Sequence, residues 1–124
     1  MNKTGNIGEN FATELLLNKR YKIIMRNYKK PWGEVDIIGE KNGIITFFEV
    51  KTSKYHPNPS FTPEIRVNWK KQSKLKKICE TYLSEISAPK TQEWQIDVIS
   101  VILNKDNYVH EIKHIENAVF ERQY

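Results

Sequence analysis

The chain has one cysteine among its 124 residues, Cys79, so it cannot close an internal disulfide. A cytoplasmic location is the default expectation for such a chain. No apolar run approaches the roughly 18 residues that a membrane span needs. The opening segment, MNKTGNIGEN, has no apolar core after its one lysine, which is unlike a secretory leader. Internal repeats and low-complexity tracts are missing too. Proline is scarce, and three of the five, Pro57, Pro59 and Pro63, crowd one stretch. They exclude a central strand or a helix there and mark a long loop after Lys51, of the kind that closes over a substrate.

What is present fits a folded, soluble domain. Charged residues make up 28% and hydrophobic residues 39%, too apolar for a disordered chain. The length suits a single domain over residues 1–124 with one core. A formal net charge of +5 means a basic surface, which around an acidic pocket suits a polyanion whose backbone undergoes a metal-assisted reaction.

Ile7, Phe11, Ala12, Leu15 and Leu16 recur at helical spacing and predict an amphipathic helix over 7–19. Asn6 is its expected N-cap, with Glu9 at the capping-box position. Tyr21–Tyr28 reads as a strand, and Gly33–Lys51 as a hairpin. Asn68–Ile86 reads as a second helix whose buried face is Leu75, Ile78, Cys79, Tyr82, Leu83 and Ile86. Cys79 is then inert core. Glu93–Leu103 is nearly continuous apolar, as in a strand buried on both faces. Asp97 near its start reads as structural, held by a backbone amide or a base. Tyr108–Ile115 is the last strand. The expected order is α-β-β-β-α-β-β, an α/β fold with a mixed sheet flanked by helices.

The hairpin carries the chemistry. Asn42-Gly43 is the strongest short-range hairpin signal, because both residues tolerate the positive φ of a type I′ turn. A two-residue turn pairs Lys41 with Ile44, and therefore Asp36 with Glu49 and Glu34 with Lys51. Opposed residues have Cβ atoms roughly 4.5–5.5 Å apart, and like charges so placed destabilise a sheet. Two facing acids make sense if a hard divalent cation such as Mg²⁺ lies between them. Lys51, two positions beyond Glu49 on the same face, would set an ammonium beside that cation. A three-residue loop would instead put Asp36 opposite Phe48 and break the pair.

Other residues have two readings. Glu9 either caps its own helix at Asn6 or points into the pocket of Asp36 and Glu49. Trp32, in the turn Pro31-Trp32-Gly33, either stacks on a base or, as is commoner for such a residue, covers a core edge. His56 either serves acid–base chemistry or, as is commoner for a lone loop histidine, is simply exposed. Arg26, Lys29 and Lys30 near the first strand, and Lys70, Lys71 and Lys74 in the second helix, are candidate phosphate contacts. Cations are better placed at a helix C-terminus, so their bias to the first half of this helix hints at an anionic partner, although a solvated lysine face is the commoner reason for such a cluster. Gln72 among them could bond a phosphate or orient a pocket carboxylate.

An early helical Glu, then an Asp, then Glu-x-Lys on the next strand, then a basic helix resembles the PD-(D/E)XK restriction-endonuclease-like fold. Within it, the chain resembles the YraN-like family of small bacterial proteins, related to archaeal Holliday junction resolvases. The matching blocks are Gly8-Glu9, Gly33–Asp36 (GEVD), Phe47–Thr52 (FFEVKT), Lys71–Leu75 (KQSKL) and Ile96–Val98 (IDV). Val35 stands where the wider fold usually has proline. The resemblance implies that Asp36 and Glu49 bind the metal and that Lys51 positions or activates the attacking water. It makes Glu9 a third acid, acting directly or through water. The function expected is hydrolysis of DNA phosphodiester bonds with Mg²⁺ or Mn²⁺, selective for branched DNA, by a protein that forms a homodimer. Two alternatives stand beside it: a catalytically silent nucleic-acid-binding module of the same fold, and a basic factor that docks an acidic protein.

Overall fold

A computed structural model of the chain describes residues 3–58 and 69–119. Two helices and five strands follow in the expected order: α1 (Lys3–Asn18), β1 (Lys22–Lys30), β2 (Gly33–Lys41), β3 (Ile44–Lys54), α2 (Trp69–Glu85), β4 (Trp94–Leu103) and β5 (Val109–Val119). The strands lie side by side in sequence order in one mixed sheet. β3 and β4 are parallel and the other neighbours antiparallel, because α2 carries the chain back across the sheet. No helix among the described residues is long and apolar enough to cross a membrane.

Each sheet face has its own core. Phe47, Ile38, Val98 and Ile96 pack under Leu75, Ile78, Cys79 and Tyr82 of α2. Phe48, Ile37, Ile99 and Val101 pack under Ala12 and Leu16 of α1. Successive residues of β3 thus feed opposite cores, as the pleat requires of a strand buried on both sides. Burial also pushes the Cys79 thiol well above its ordinary range, which fits inert core.

The boundaries differ from expectation at several points. α1 begins at Lys3, so Asn6 lies inside the helix and the capping box does not form. β3 runs on to Lys54, three residues past the expected end, because β4 pairs with it throughout. β5 likewise continues to Val119. Ile86 falls beyond the end of α2 and is exposed, not part of its buried face. Pro59, Pro63 and Asn68 lie outside the described residues.

Two local devices hold the sheet. Asp97 is fully buried and accepts hydrogen bonds from the Asn117 backbone amide at 2.8 Å and Gln95 Nε2 at 2.8 Å. His114 Nε2 lies 2.7 Å from its other oxygen. These bonds pin β5 where the β4–β5 register shifts. On the same face of the sheet, α1 approaches β3 so closely that a Cβ at Gly8 would sit 1.8 Å from Thr52 Oγ1. Glycine here has a packing reason, and the approach brings the next residue, Glu9, against the sheet.

Candidate active site

The hairpin has the register that a two-residue turn dictates. Asn42 and Gly43 both have positive φ, at 54° and 81°. The ladder runs from Lys41↔Ile44 to Ile37↔Phe48 and ends there, one step before Asp36 and Glu49. Continuing it would give the Val50 amide to the Val35 carbonyl, since bonded pairs alternate. Asp36 takes it instead: Val50 N–H donates to Asp36 Oδ2 at 2.7 Å. β2 and β3 therefore part into a fork with a carboxylate in its crotch.

β2 also loses its simple alternation at this point. Val35 packs in the core under α2, while Ile37, two residues on, packs in the core under α1. Across the pair, Asn27 of β1 has φ of 56°, and the β1–β2 register omits Asn27 and Asp36 while keeping both neighbours. A left-handed residue is a common way to bend a strand and re-aim a side chain. Asp36 thus sits between the two faces, near groups from both.

Those groups are acids. Burial pushes the Asp36 carboxyl upward, the Glu49 charge pushes further, and Glu9 adds a smaller push. The Val50 amide acts the other way, and the balance stands at about 8. The Asp36 and Glu49 carboxyls act on each other through charge and side-chain hydrogen bonding, although the ladder does not extend to pair the two residues. Glu9 is felt by Asp36 through charge alone. Its Oε1 accepts from Arg26 Nη2 at 3.4 Å, a long contact, and Arg26 Nε is buried with no hydrogen-bond partner. Among the described residues no three His, Cys, Asp or Glu side chains form a metal-holding group. Asp36 and Glu49 are two carboxylates that interact at the fork, while Glu9 contacts Arg26. Two carboxylates fit Mg²⁺, which usually takes one or two and completes its shell with water and substrate phosphate.

Lys51 is half-buried on β3 beside Ser100 of β4. Strand alternation puts it on the Glu49 side. Among the described residues its ammonium makes no ion pair. Lys71 and Lys74 line a cleft with Glu49. Lys70 lies in the first turn of α2, and its side chain is outside the description, while Gln72 is half-buried on the same turn. The bases of β1 are not all gathered there. Arg26 faces α1 through Glu9, and Lys30 is tied to Glu85 at 2.6 Å. Lys29 is exposed. His56 is exposed as well, and its Nδ1 accepts from the Asn58 amide at 3.1 Å.

Sequence reasoning missed one participant and only partly placed two others. The Val50 amide carries no signal of its own in the sequence, since it depends on where a ladder ends. Arg26 was legible as a base but not as the partner of Glu9. Trp32 was read as a base-stacking residue or, more commonly, a core-edge cover; it is 44% exposed and lines the same cleft as Glu49.

Comparison with known proteins places these residues in a family. A UPF0102 protein of Dictyoglomus thermophilum is 38% identical over 115 residues, spanning 92% of this chain and 94% of that protein. One from Thermodesulfovibrio yellowstonii is 39% identical over 94% of this chain and 95% of its own length. One from Alkaliphilus oremlandii is 40% identical over 94% and 97%. The family model described as "Uncharacterised protein family UPF0102" matches residues 8–101, from the glycine that seats α1 to the strand that carries Asp97. The chain belongs to the UPF0102 family.

Proposed function

We propose that this protein is a metal-dependent nuclease that hydrolyses phosphodiester bonds in DNA. The observation that carries the reading is the Asp36–Glu49 pair at the β2–β3 fork. A buried carboxyl held near 8 beside a second acid is costly for a fold, and such groups cluster where chemistry is done. Asp36 and Glu49 would hold Mg²⁺ or Mn²⁺, which when bound supplies charge neutralisation at phosphorus and lowers the pKa of a coordinated water. Lys51 would place its positive charge where the phosphoryl oxygens gain negative charge, or orient the attacking water. Glu9 would act at one remove, through water. Lys71 and Lys74 beside Glu49, with Lys70 and Gln72 on the same helix, would hold flanking phosphates without reading sequence. Arg26 and Lys30 already have carboxylate partners and take a smaller share. The activity would be exercised in the cytoplasm, by a homodimer that offers two such sites to branched DNA.

A silent nucleic-acid-binding module is the second reading. It is favoured by the Arg26–Glu9 contact, which would hold the third acid back from a metal. The test is incubation with branched, flapped, single-stranded and double-stranded DNA in Mn²⁺ or Mg²⁺, beside Lys51→Ala. Cleavage that the variant loses supports the nuclease. Binding without cleavage supports the module. Equal cleavage by both proteins refutes the assignment of Lys51.

A further inference from the structure

Trp32 occupies the two-residue turn between β1 and β2 and shows 44% of its surface to solvent. It lines a cleft of about 210 Å³. Leu75 and Ile78 of α2 supply further apolar wall, Glu49 reaches in from β3, and Lys71 and Lys74 stand on α2. The Lys77 ammonium lies 5.9 Å from the Trp32 ring centroid, so the indole already receives a cation on its face.

We propose that this cleft is a nucleobase subsite, which takes one unpaired base stacked on Trp32. The position of the adjoining phosphate, toward Glu49 and Lys51, rests on the nuclease reading; the stacking does not. The cleft is well below the roughly 300 Å³ at which pockets for drug-sized ligands begin, so it suits a single flat ring system. A paired base stays inside its duplex and cannot enter without the cost of unstacking, so single-stranded or unwound nucleic acid is the class that fits. Lysines beside an aromatic platform are the two components that hold single strands: cations for phosphates and a ring for bases.

Gly33 keeps the space open. A Cβ there would lie 3.6 Å from Ile78 Cβ, an ordinary contact, and its φ is not in the left-handed region. The backbone therefore tolerates a side chain, and alanine would narrow the cleft without removing any charge.

The test is fluorescence anisotropy with a short single-stranded oligodeoxynucleotide and with its duplex, in EDTA and again in Ca²⁺. Trp32→Ala and Gly33→Ala are each expected to weaken single-strand binding, the first by about five-fold or more. Trp32→Phe should keep most of it, and duplex binding should not change. Equal losses on both probes, or no single-strand loss in either variant, overturn the subsite. Cleavage by wild type, lost in Lys51→Ala, with single-strand binding unchanged in Trp32→Ala, overturns the subsite and leaves the nuclease. Trp32-dependent single-strand binding with no cleavage of any DNA supports the subsite and overturns the nuclease. No binding of either probe by wild type overturns both.

Discussion

Replacing Asp36 by asparagine should stabilise the metal-free protein at alkaline pH and leave it little changed in acid. The native carboxyl stands at about 8, against 3.8 for an ordinary aspartate. A carboxyl raised in this way is protonated in the folded chain and ionised in the unfolded chain across the interval between those values. The folded state then binds the extra proton, so stability is greatest below about pH 4 and falls as pH rises toward about 8. At about 1.4 kcal/mol per pKa unit, the full difference corresponds to roughly 6 kcal/mol. The measurable part should be about 2–3 kcal/mol, because the fork admits water as charge develops and raises the effective dielectric. Asparagine keeps an oxygen for the Val50 amide and never ionises, so its stability should not follow that slope. Urea denaturation in EDTA at about pH 5 and about pH 9 reads the effect directly. Wild type should lose stability between the two and Asp36→Asn should not, apart from any background slope they share. Added Mg²⁺ or Mn²⁺ should then restore wild type at the higher pH and do little for the variant, since a ligand stabilises only the state that binds it. Parallel pH profiles for the two proteins would refute the reasoning, because burial and Glu49 would not then be raising the Asp36 carboxyl.

Lys51→Ala should abolish cleavage while shifting the thermal midpoint little, since its ammonium makes no ion pair among the described residues; a large loss of stability would instead make Lys51 structural. Gly8→Ala should cost about 1–3 kcal/mol by thermal denaturation, because its Cβ would meet Thr52 Oγ1 at 1.8 Å and α1 would have to move. Thr52→Ala in the same chain should recover part of that cost, and additive losses would count against the clash. Asp97→Ala should cost about 3 kcal/mol or more in urea, since it strips partners from the Asn117 amide and from the His114 ring, whose side chain is nearly fully buried; a cost near zero would mean that water replaces the carboxylate.

Much of this protein could be read from local chemistry. Asn42-Gly43 set the register, because two adjacent residues that accept positive φ leave a hairpin one economical way to close. From that register came the meeting of Asp36 and Glu49, residues thirteen apart that sequence distance alone would not join. The two-sided burial of β3 and β4 was equally plain, since uninterrupted apolar runs need a cover on each face. Asp97 stood out because a lone acid in such a strand must find donors, and its partners are an amide and two side chains as that logic requires.

What the chain alone could not decide were the relations between elements that are far apart in sequence. Helical periodicity marked α1 but not its true start at Lys3, because the spacing of apolar residues says nothing about where the backbone stops turning. Glu9 and Arg26 each looked available; only the packing of α1 on the sheet, through a glycine that lets it come close, put them within reach of one another. The fork itself arises because the Val50 amide finds a side-chain oxygen before a carbonyl, a competition settled by distances in the folded molecule. Local propensity and turn chemistry therefore determined which acids meet. Tertiary packing determined how many of them meet, and what else stands within their reach.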